Sequence, residues 1–240
     1  RGSRRGAPAL TGGGIAGGAG EARLDPSQPL VKRPGWRLAT IGGAPLYLAP
    51  SWLLVAAVLT VLFLPTVQRA APGLGTPAAV AAAATFPVLL FASVLAHELA
   101  HGGAARIVGS QVREYVIAFW GGRTSFGADL RTPGASALVS AAGPAANLVL
   151  AGAGWLVLGA LTPGLGAVIV AALTYANLVV ALFNLLPGNP LDGGRILEAL
   201  IWKLTGNRET GTIGSGWVGR ILAVVLGLVV IGLPPLRGIR

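Results

Sequence analysis

Five long apolar segments restrict this chain of 240 residues to a membrane environment. Each is near or above the ~20 residues that an α-helix needs to cross ~30 Å of hydrocarbon. Only 11% of the residues are charged, whereas a soluble domain carries about 25%. We therefore predict an all-α membrane protein, a polytopic bundle of about five to six transmembrane helices. The predicted spans cover residues 47–67, 78–108, 135–161, 166–186 and 217–233.

The first 44 residues differ in composition from the remainder of the chain. They are rich in Gly, Arg and Pro and show no apolar periodicity. A segment of this kind cannot bury enough surface to offset the entropy that it loses on ordering. The sequence therefore predicts a flexible cytoplasmic tail at residues 1–44 and a transmembrane domain at residues 45–240.

The number of basic residues alternates from one connection to the next. Seven precede the first span, one follows it, four lie between the second and third spans, none between the third and fourth, and three between the fourth and fifth. This alternation follows the positive-inside rule with a cytoplasmic N-terminus in the cell membrane. It would leave Arg237 and Arg240 outside, so we expect a sixth span beyond them. Because the formal net charge of +10 is distributed in this way, binding to nucleic acid is not expected.

Residues 112–126, between the second and third spans, alternate in polarity and carry β-branched and aromatic side chains around Gly121 and Gly122. This pattern predicts a short β-hairpin. Its apolar content indicates a membrane-associated hairpin that lies against the helices, because non-helical backbone at membrane depth must be covered by protein. The alternative is an ordinary cytoplasmic loop.

Both histidines of the chain lie near the end of the second span, in the pentapeptide His97-Glu98-Leu99-Ala100-His101. Side chains four residues apart share one face of a helix, so both imidazoles can reach one ion. The chain has no Cys, and zinc suits neutral imidazole nitrogen. Glu98 is then placed to act as the general base. A chance occurrence would leave polar groups in hydrocarbon, where each charged group costs about 2.5–3.5 kcal/mol.

Two histidines leave a catalytic zinc site incomplete, because such sites have three protein ligands and an open position. The chain has no other His and no Cys, so the third ligand must be Asp or Glu. Asp192 directly follows the fourth span, in a stretch whose prolines and glycines interrupt a regular helix. We predict that Asp192 is this ligand. The alternative is that its side chain caps the N-terminus of a helix.

Three motifs in this order resemble those of the site-2 protease family of intramembrane zinc metalloproteases. They are HELAH at residues 97–101, GPAAN at residues 143–147 and NLLPGNPLDG at residues 184–193. Residues 43–52 are also similar to the start of the first span in bacterial members. The resemblance covers about residues 41–240.

This resemblance implies a function and a set of roles. The function is hydrolysis of peptide bonds in or near transmembrane segments of membrane-anchored substrates, as in regulated intramembrane proteolysis. Bacterial substrates of this kind are membrane-tethered transcription regulators and anti-sigma factors. The roles are one zinc ion bound by His97, His101 and Asp192, Glu98 as general base, Asn184 as oxyanion partner and Asn147 as a contact to substrate backbone. Asn147 has the alternative of packing as an amide beside Gly143.

The sequence departs from the family pattern at several places. Many relatives carry a His where this chain has Ala49, and Arg123 is less typical of its position in the hairpin. Members often continue into a sixth span and a nucleotide-sensing CBS module, and we expect this chain to be truncated before both.

Three other functions are compatible with parts of the pattern. A membrane metalloprotease of the prenyl-protein-processing type would use Glu198 or Glu209 as the third ligand. A metal transporter would require further ligands along a pathway and internal repeats, neither of which the sequence contains. A non-proteolytic scaffold would bind client helices, but it would have no need of Glu98 beside two metal ligands.

Overall fold

The computed structural model describes residues 35–118, 121–127 and 130–232. Most of these residues are helical, and a small sheet lies beside the helices. The elements are β1 (Trp36–Ile41), β2 (Ala44–Leu48), α1 (Ser51–Ala70), α2 (Thr76–Ile107), β3 (Val112–Ala118), β4 (Gly121–Phe126), α3 (Pro133–Ala160), α4 (Leu165–Asn184), α5 (Asp192–Thr205) and α6 (Arg208–Gly232).

Five of the helices, α1, α2, α3, α4 and α6, are long and apolar enough to cross a membrane, with mean hydropathies of 1.5 to 2.2. The predicted helical membrane bundle is therefore confirmed. Two starting boundaries differ from the predictions by four residues or more. The first span begins at Ser51, because Tyr47 and Leu48 belong to β2, and the last begins at Arg208 rather than at residue 217.

The sheet has the strand order β1-β2-β3-β4. Antiparallel pairing joins β1 to β2 and β3 to β4, whereas β2 and β3 run parallel, with Leu46 opposite Tyr115. The β3–β4 pair confirms the predicted hairpin and excludes the loop alternative. The predicted tail is wrong over its last part, because Trp36–Ile41 forms β1 and Ala44 begins β2. Residues 1–34 lie outside the described residues.

The sheet packs against the middle of α2. Tyr115 and Ile117 of β3 are fully buried in a cluster with Leu46 and Trp52. Partly buried residues of α2 complete the cluster, among them Phe91 and Leu95. Apolar residues at alternate positions of a strand face the same side, so β3 covers one face of α2. This packing brings the edge strand β4 beside residues 97–101 of the same helix.

The chain breaks its helical course between α4 and α5. α4 ends at Asn184, and a seven-residue loop, residues 185–191, leads to Asp192 at the start of α5. α6 anchors this loop, because the Asn189 side chain donates a hydrogen bond to Ser215 Oγ at 2.5 Å and the Asn189 backbone N–H donates to Ser215 O at 3.2 Å. α5 is amphipathic and too short to span a membrane, and it was not predicted as an element. Its first residue faces α2.

Candidate metal centre

Three ligand atoms from α2 and α5 converge on one point. His97 Nε2 and His101 Nε2 are 3.0 Å apart, and Asp192 Oδ2 lies 3.2 Å from the first and 3.3 Å from the second. Four ligands at zinc distances of about 2.0–2.1 Å in a tetrahedron are separated by about 3.3 Å. The three atoms therefore already have nearly the spacing of three corners of a zinc site. Among the described residues, the His, Cys, Asp and Glu side chains that cluster closely enough to hold a metal are these three.

α3 supplies the groups that orient both imidazoles. His97 Nδ1 lies 2.5 Å from Asn147 Oδ1, and His101 Nδ1 lies 2.7 Å from Val139 O. Each oxygen accepts a hydrogen from Nδ1, which leaves the Nε2 lone pair directed at the metal position. Val139, Gly143 and Asn147 follow one another at intervals of four residues, so they lie on one face of α3.

Gly143 lies between these two partners and permits the close approach of α3. A Cβ atom at this position would overlap Nε2 of His101 and of His97. A side chain there would occupy the space of the metal ligands themselves. The glycine of the GPAAN motif is therefore a requirement of the metal centre.

Asp192 is the first residue of α5, and Leu191 is the capping residue of this helix. The Asp192 side chain faces the two imidazoles and is 16% exposed, so the helix-cap alternative is wrong. Burial by itself would raise the pKa of Asp192, but the neighbouring His101 and His97 outweigh burial and lower the pKa to about 2. The carboxylate is therefore ionised at neutral pH, which is the form that binds a cation.

β4 positions the Glu98 side chain. Glu98 is 4% exposed, and the Thr124 hydroxyl donates a hydrogen bond to Glu98 Oε2 at 2.5 Å. A Cβ atom at Gly122 would overlap the Glu98 side chain, so the strand passes directly over the carboxylate. Sequence reasoning missed Thr124, because its neighbours give no signal that the hydroxyl faces a residue 26 positions earlier.

Residues 85–167 and 161–228 match the family model described as Peptidase family M50. The chain belongs to this family. The resemblance to site-2 proteases that the three motifs carry is thereby confirmed, and zinc is the metal that both the family and the donor set indicate.

Relatives agree with this assignment to family M50, and a solved structure has the same fold. The chain is 36% identical over 202 residues to a candidate zinc metalloprotease of Synechocystis sp., covering 80% of this chain and 51% of that protein. It is 40% identical over 143 residues to the candidate zinc metalloprotease Rip3 of Mycobacterium tuberculosis, covering 58% and 36%. The chain therefore spans about half or less of these relatives. The site-2 protease from Methanocaldococcus jannaschii has the same fold, with 24% identity, a TM-score of 0.56 and coverage of 81% and 83%.

The M50 metal centre opens into a cavity of about 630 Å³. Glu98 and Asn184 face this cavity together with the three candidate ligands. The Asn184 side chain donates a hydrogen bond to Val180 O at 3.0 Å. Ala49 and Arg123, the two departures from the family pattern, also line it. Arg123 forms an exposed ion pair with Glu114 at 3.4 Å.

Asn147 occupies a different place from the one predicted for a substrate contact. It is 1% exposed, lies behind His97 and is absent from the described lining of the cavity. Its oxygen faces His97 and its nitrogen donates to Asn177 Oδ1 at 2.8 Å. Because both ends of the amide are engaged inside the helix bundle, this position does not favour contact with substrate backbone.

The rival ligands of the prenyl-processing interpretation lie elsewhere. Glu198 accepts a hydrogen bond from Arg208 Nε at 3.2 Å, and Glu209 is exposed at the start of α6. Neither joins the cluster of His97, His101 and Asp192. The interpretation with a downstream Glu ligand is therefore wrong. Among the described residues, no second ligand cluster marks the pathway that a transporter would need.

Proposed function

We propose that this chain is the catalytic core of an intramembrane zinc peptidase that hydrolyses peptide bonds in or near transmembrane segments of membrane-anchored proteins. The observation that carries this proposal is the set of three donor atoms within 3.3 Å of one another beside the buried Glu98. Two of these donors and Glu98 lie on a helix of membrane-spanning length and hydropathy. Membership of family M50 supports the same reaction.

The residues of the site divide the chemistry among themselves. When bound, zinc polarises a carbonyl group and makes a water molecule more acidic. Glu98 accepts the proton of the attacking water and returns it to the leaving amine, while Thr124 holds the carboxylate in place. Asn184 lines the same cavity, and its amide N–H stabilises the negative charge that develops on the carbonyl oxygen.

β4 offers a means of holding the substrate. It borders the cavity through Gly121, Gly122 and Thr124, and among the described residues it pairs with β3 on one side only. The carbonyl groups of a transmembrane helix are engaged in its own hydrogen bonds, so cleavage requires local unwinding. An unwound segment can then add to the free edge of β4 through main-chain hydrogen bonds.

We further propose that this reaction takes place near the cytoplasmic face. The positive-inside rule favours a cytoplasmic N-terminus in a multi-pass protein of the cell membrane. α2 then runs inward and carries His97 and His101 in its last third, and the loop to α5 lies on the same side. The partners are membrane-anchored protein substrates within the lipid bilayer.

The test compares wild type with Glu98→Gln and Asp192→Ala in detergent and in lipid vesicles. Zinc content is measured by mass spectrometry, and cleavage is followed on a panel of tagged single-span proteins. We expect Glu98→Gln to retain zinc but to lose cleavage by a factor of about 10² to 10⁴, the usual contribution of a general base. Asp192→Ala should lose zinc. Cleavage by zinc-loaded Glu98→Gln at the wild-type rate would contradict the proposal, as would the absence of cleavage by zinc-loaded wild type.

A further inference from the structure

A chain of buried hydrogen bonds leads from His97 through three helices. His97 Nδ1 faces Asn147 Oδ1 at 2.5 Å, and Asn147 Nδ2 donates to Asn177 Oδ1 at 2.8 Å. Asn177 Nδ2 then donates to Ser93 Oγ at 3.1 Å and to Leu173 O at 2.9 Å. We call Asn147 of α3 and Asn177 of α4 the amide relay.

The last hydrogen bond in this series determines the direction of all the others. Leu173 O is a backbone carbonyl and can only accept, so Asn177 must present its nitrogen to it. The Asn177 oxygen then faces Asn147, so Asn147 must donate a hydrogen bond to it from its nitrogen. The oxygen of Asn147 is therefore the atom that faces His97, and the hydrogen of the imidazole must reside on Nδ1.

Burial makes any other arrangement costly. Asn147, Asn177 and Ser93 are 1%, 3% and 8% exposed. A flipped amide would oppose two acceptors or two donors, and a buried polar group without a partner costs about 1–3 kcal/mol. A buried network of this kind is stable only when all of its members are satisfied.

We propose that Asn147 and Asn177 are positioning residues that hold His97 in the Nδ1–H tautomer, with the Nε2 lone pair aimed at zinc. His101 reaches the same state through a backbone carbonyl, Val139 O, whereas His97 depends on side chains from two further helices. The relay thus connects the zinc ligand on α2 to α4, which ends at Asn184 in the cavity. This inference rests on the proposed zinc site and is independent of the substrate.

The first measurement is zinc affinity, determined by competition with a chelator on the purified chain in detergent. Loss of a partner behind a metal-binding His usually lowers metal affinity about 10- to 100-fold. We expect a loss of this size for Asn147→Leu and a smaller one for Asn177→Leu. Asn147→Asp keeps an acceptor for His97 Nδ1 but sets its second oxygen against Asn177 Oδ1, so its loss of affinity should be smaller than that of Asn147→Leu but not absent.

Thr174→Val is the matched control for Asn177→Leu. Thr174 is also on α4 and buried, with 2% exposure, but its hydroxyl donates only to Val170 O of its own helix. This variant should bind zinc as wild type does. An equal loss of zinc affinity in Thr174→Val and Asn177→Leu would mean that Asn177 contributes only through helix packing, and would contradict the relay.

The second measurement reads the tautomer directly. Because the chain has two histidines, labelling with ¹⁵N-histidine gives four ring-nitrogen signals in the NMR spectrum. In zinc-stripped wild type, at a pH where both rings are neutral, His97 should show a protonated Nδ1 and an unprotonated Nε2. Asn147→Leu should shift only the His97 signals toward a mixture of tautomers.

The outcomes separate this inference from the proposed function. If wild type binds no zinc, the metal centre itself is refuted. If wild type binds zinc but His97 carries its hydrogen on Nε2 after zinc removal, the relay is refuted while the peptidase proposal stands. The wild-type spectrum decides the point even if Asn147→Leu does not fold.

Discussion

The two sides of the metal centre are built in different ways. On the side where α2 contacts α3, which we call the membrane side, the His97 and His101 side chains are at most 9% exposed and are held by hydrogen bonds to α3. On the cavity side, Asp192 follows a loop, and Glu98 is held by Thr124 from an edge strand. The Asp192 side chain is 16% exposed and lines the cavity of about 630 Å³.

This difference separates metal binding from catalysis. The membrane side fixes the two imidazoles before any substrate arrives, because its partners are buried in packed helices. For the proposed reaction the cavity side must admit a peptide and move a proton, and it is built from a strand and a loop. Changes on the membrane side should therefore reduce zinc affinity, whereas changes around Glu98 should reduce turnover while zinc remains bound.

The largest effect should come from Gly143→Ala on the membrane side. The new Cβ would overlap Nε2 of both histidines, and α3 would have to move away with the two oxygens that orient them. Because each such partner alone is worth about 10- to 100-fold in metal affinity, we expect zinc affinity to fall on the order of 100-fold or more. Zinc affinity by chelator competition measures this loss.

Two further glycine substitutions sharpen this result. Within the described residues no heavy atom lies within 4 Å of a Cβ built at Gly152, which is on the same helix, so Gly152→Ala should bind zinc normally. Gly122→Ala would displace Glu98 on the cavity side and should lose cleavage while keeping zinc. If Gly122→Ala instead lost zinc as Gly143→Ala does, the two sides would not be separable.

The three candidate metal ligands, the spans and the hairpin were largely predictable from the sequence. His97 and His101 are one helical turn apart, so their shared face follows from the helix period. Asp192 could be inferred from the few acidic residues available and from the break in the helix beside it. The spans followed from their length and hydropathy, and the hairpin from its alternation and its two glycines.

Other parts depend on contacts that a local pattern does not contain. Thr124 reaches Glu98 across 26 residues, and Asn177 reaches Ser93 across 84. β1 and β2 have few β-branched residues and become strands by pairing, through β2, with β3 beyond two helices. α5 begins within a run of glycines and prolines, and its packing against α3 and α6 outweighs that weak local propensity.

Thr124→Val should have an intermediate effect on the cavity side. It removes the hydroxyl that donates to Glu98 Oε2 while preserving the shape of the side chain. Hydrogen bonds to charged groups contribute about 1.5–3 kcal/mol, so we expect kcat/KM to fall roughly 10- to 100-fold with zinc content unchanged. Ser125→Ala is the control, because its hydroxyl faces Glu114 at 3.4 Å. Equal losses of kcat/KM in both variants would mean that the substitutions disturb the β4 strand itself, and that the hydrogen bond from Thr124 to Glu98 has no separate effect.

The smallest effect should come from Ser215→Ala, which tests how the loop before Asp192 is held. The substitution removes the acceptor of the Asn189 side chain but leaves the backbone bond from Asn189 N to Ser215 O. Losing one such bond costs about 1 kcal/mol, so zinc affinity should fall only about fivefold, with cleavage at saturating zinc unchanged. Thr212→Val, one turn earlier on α6 and exposed, should have no effect. A loss as large as that of Asn147→Leu would show that the loop holds Asp192 as rigidly as α3 holds the imidazoles.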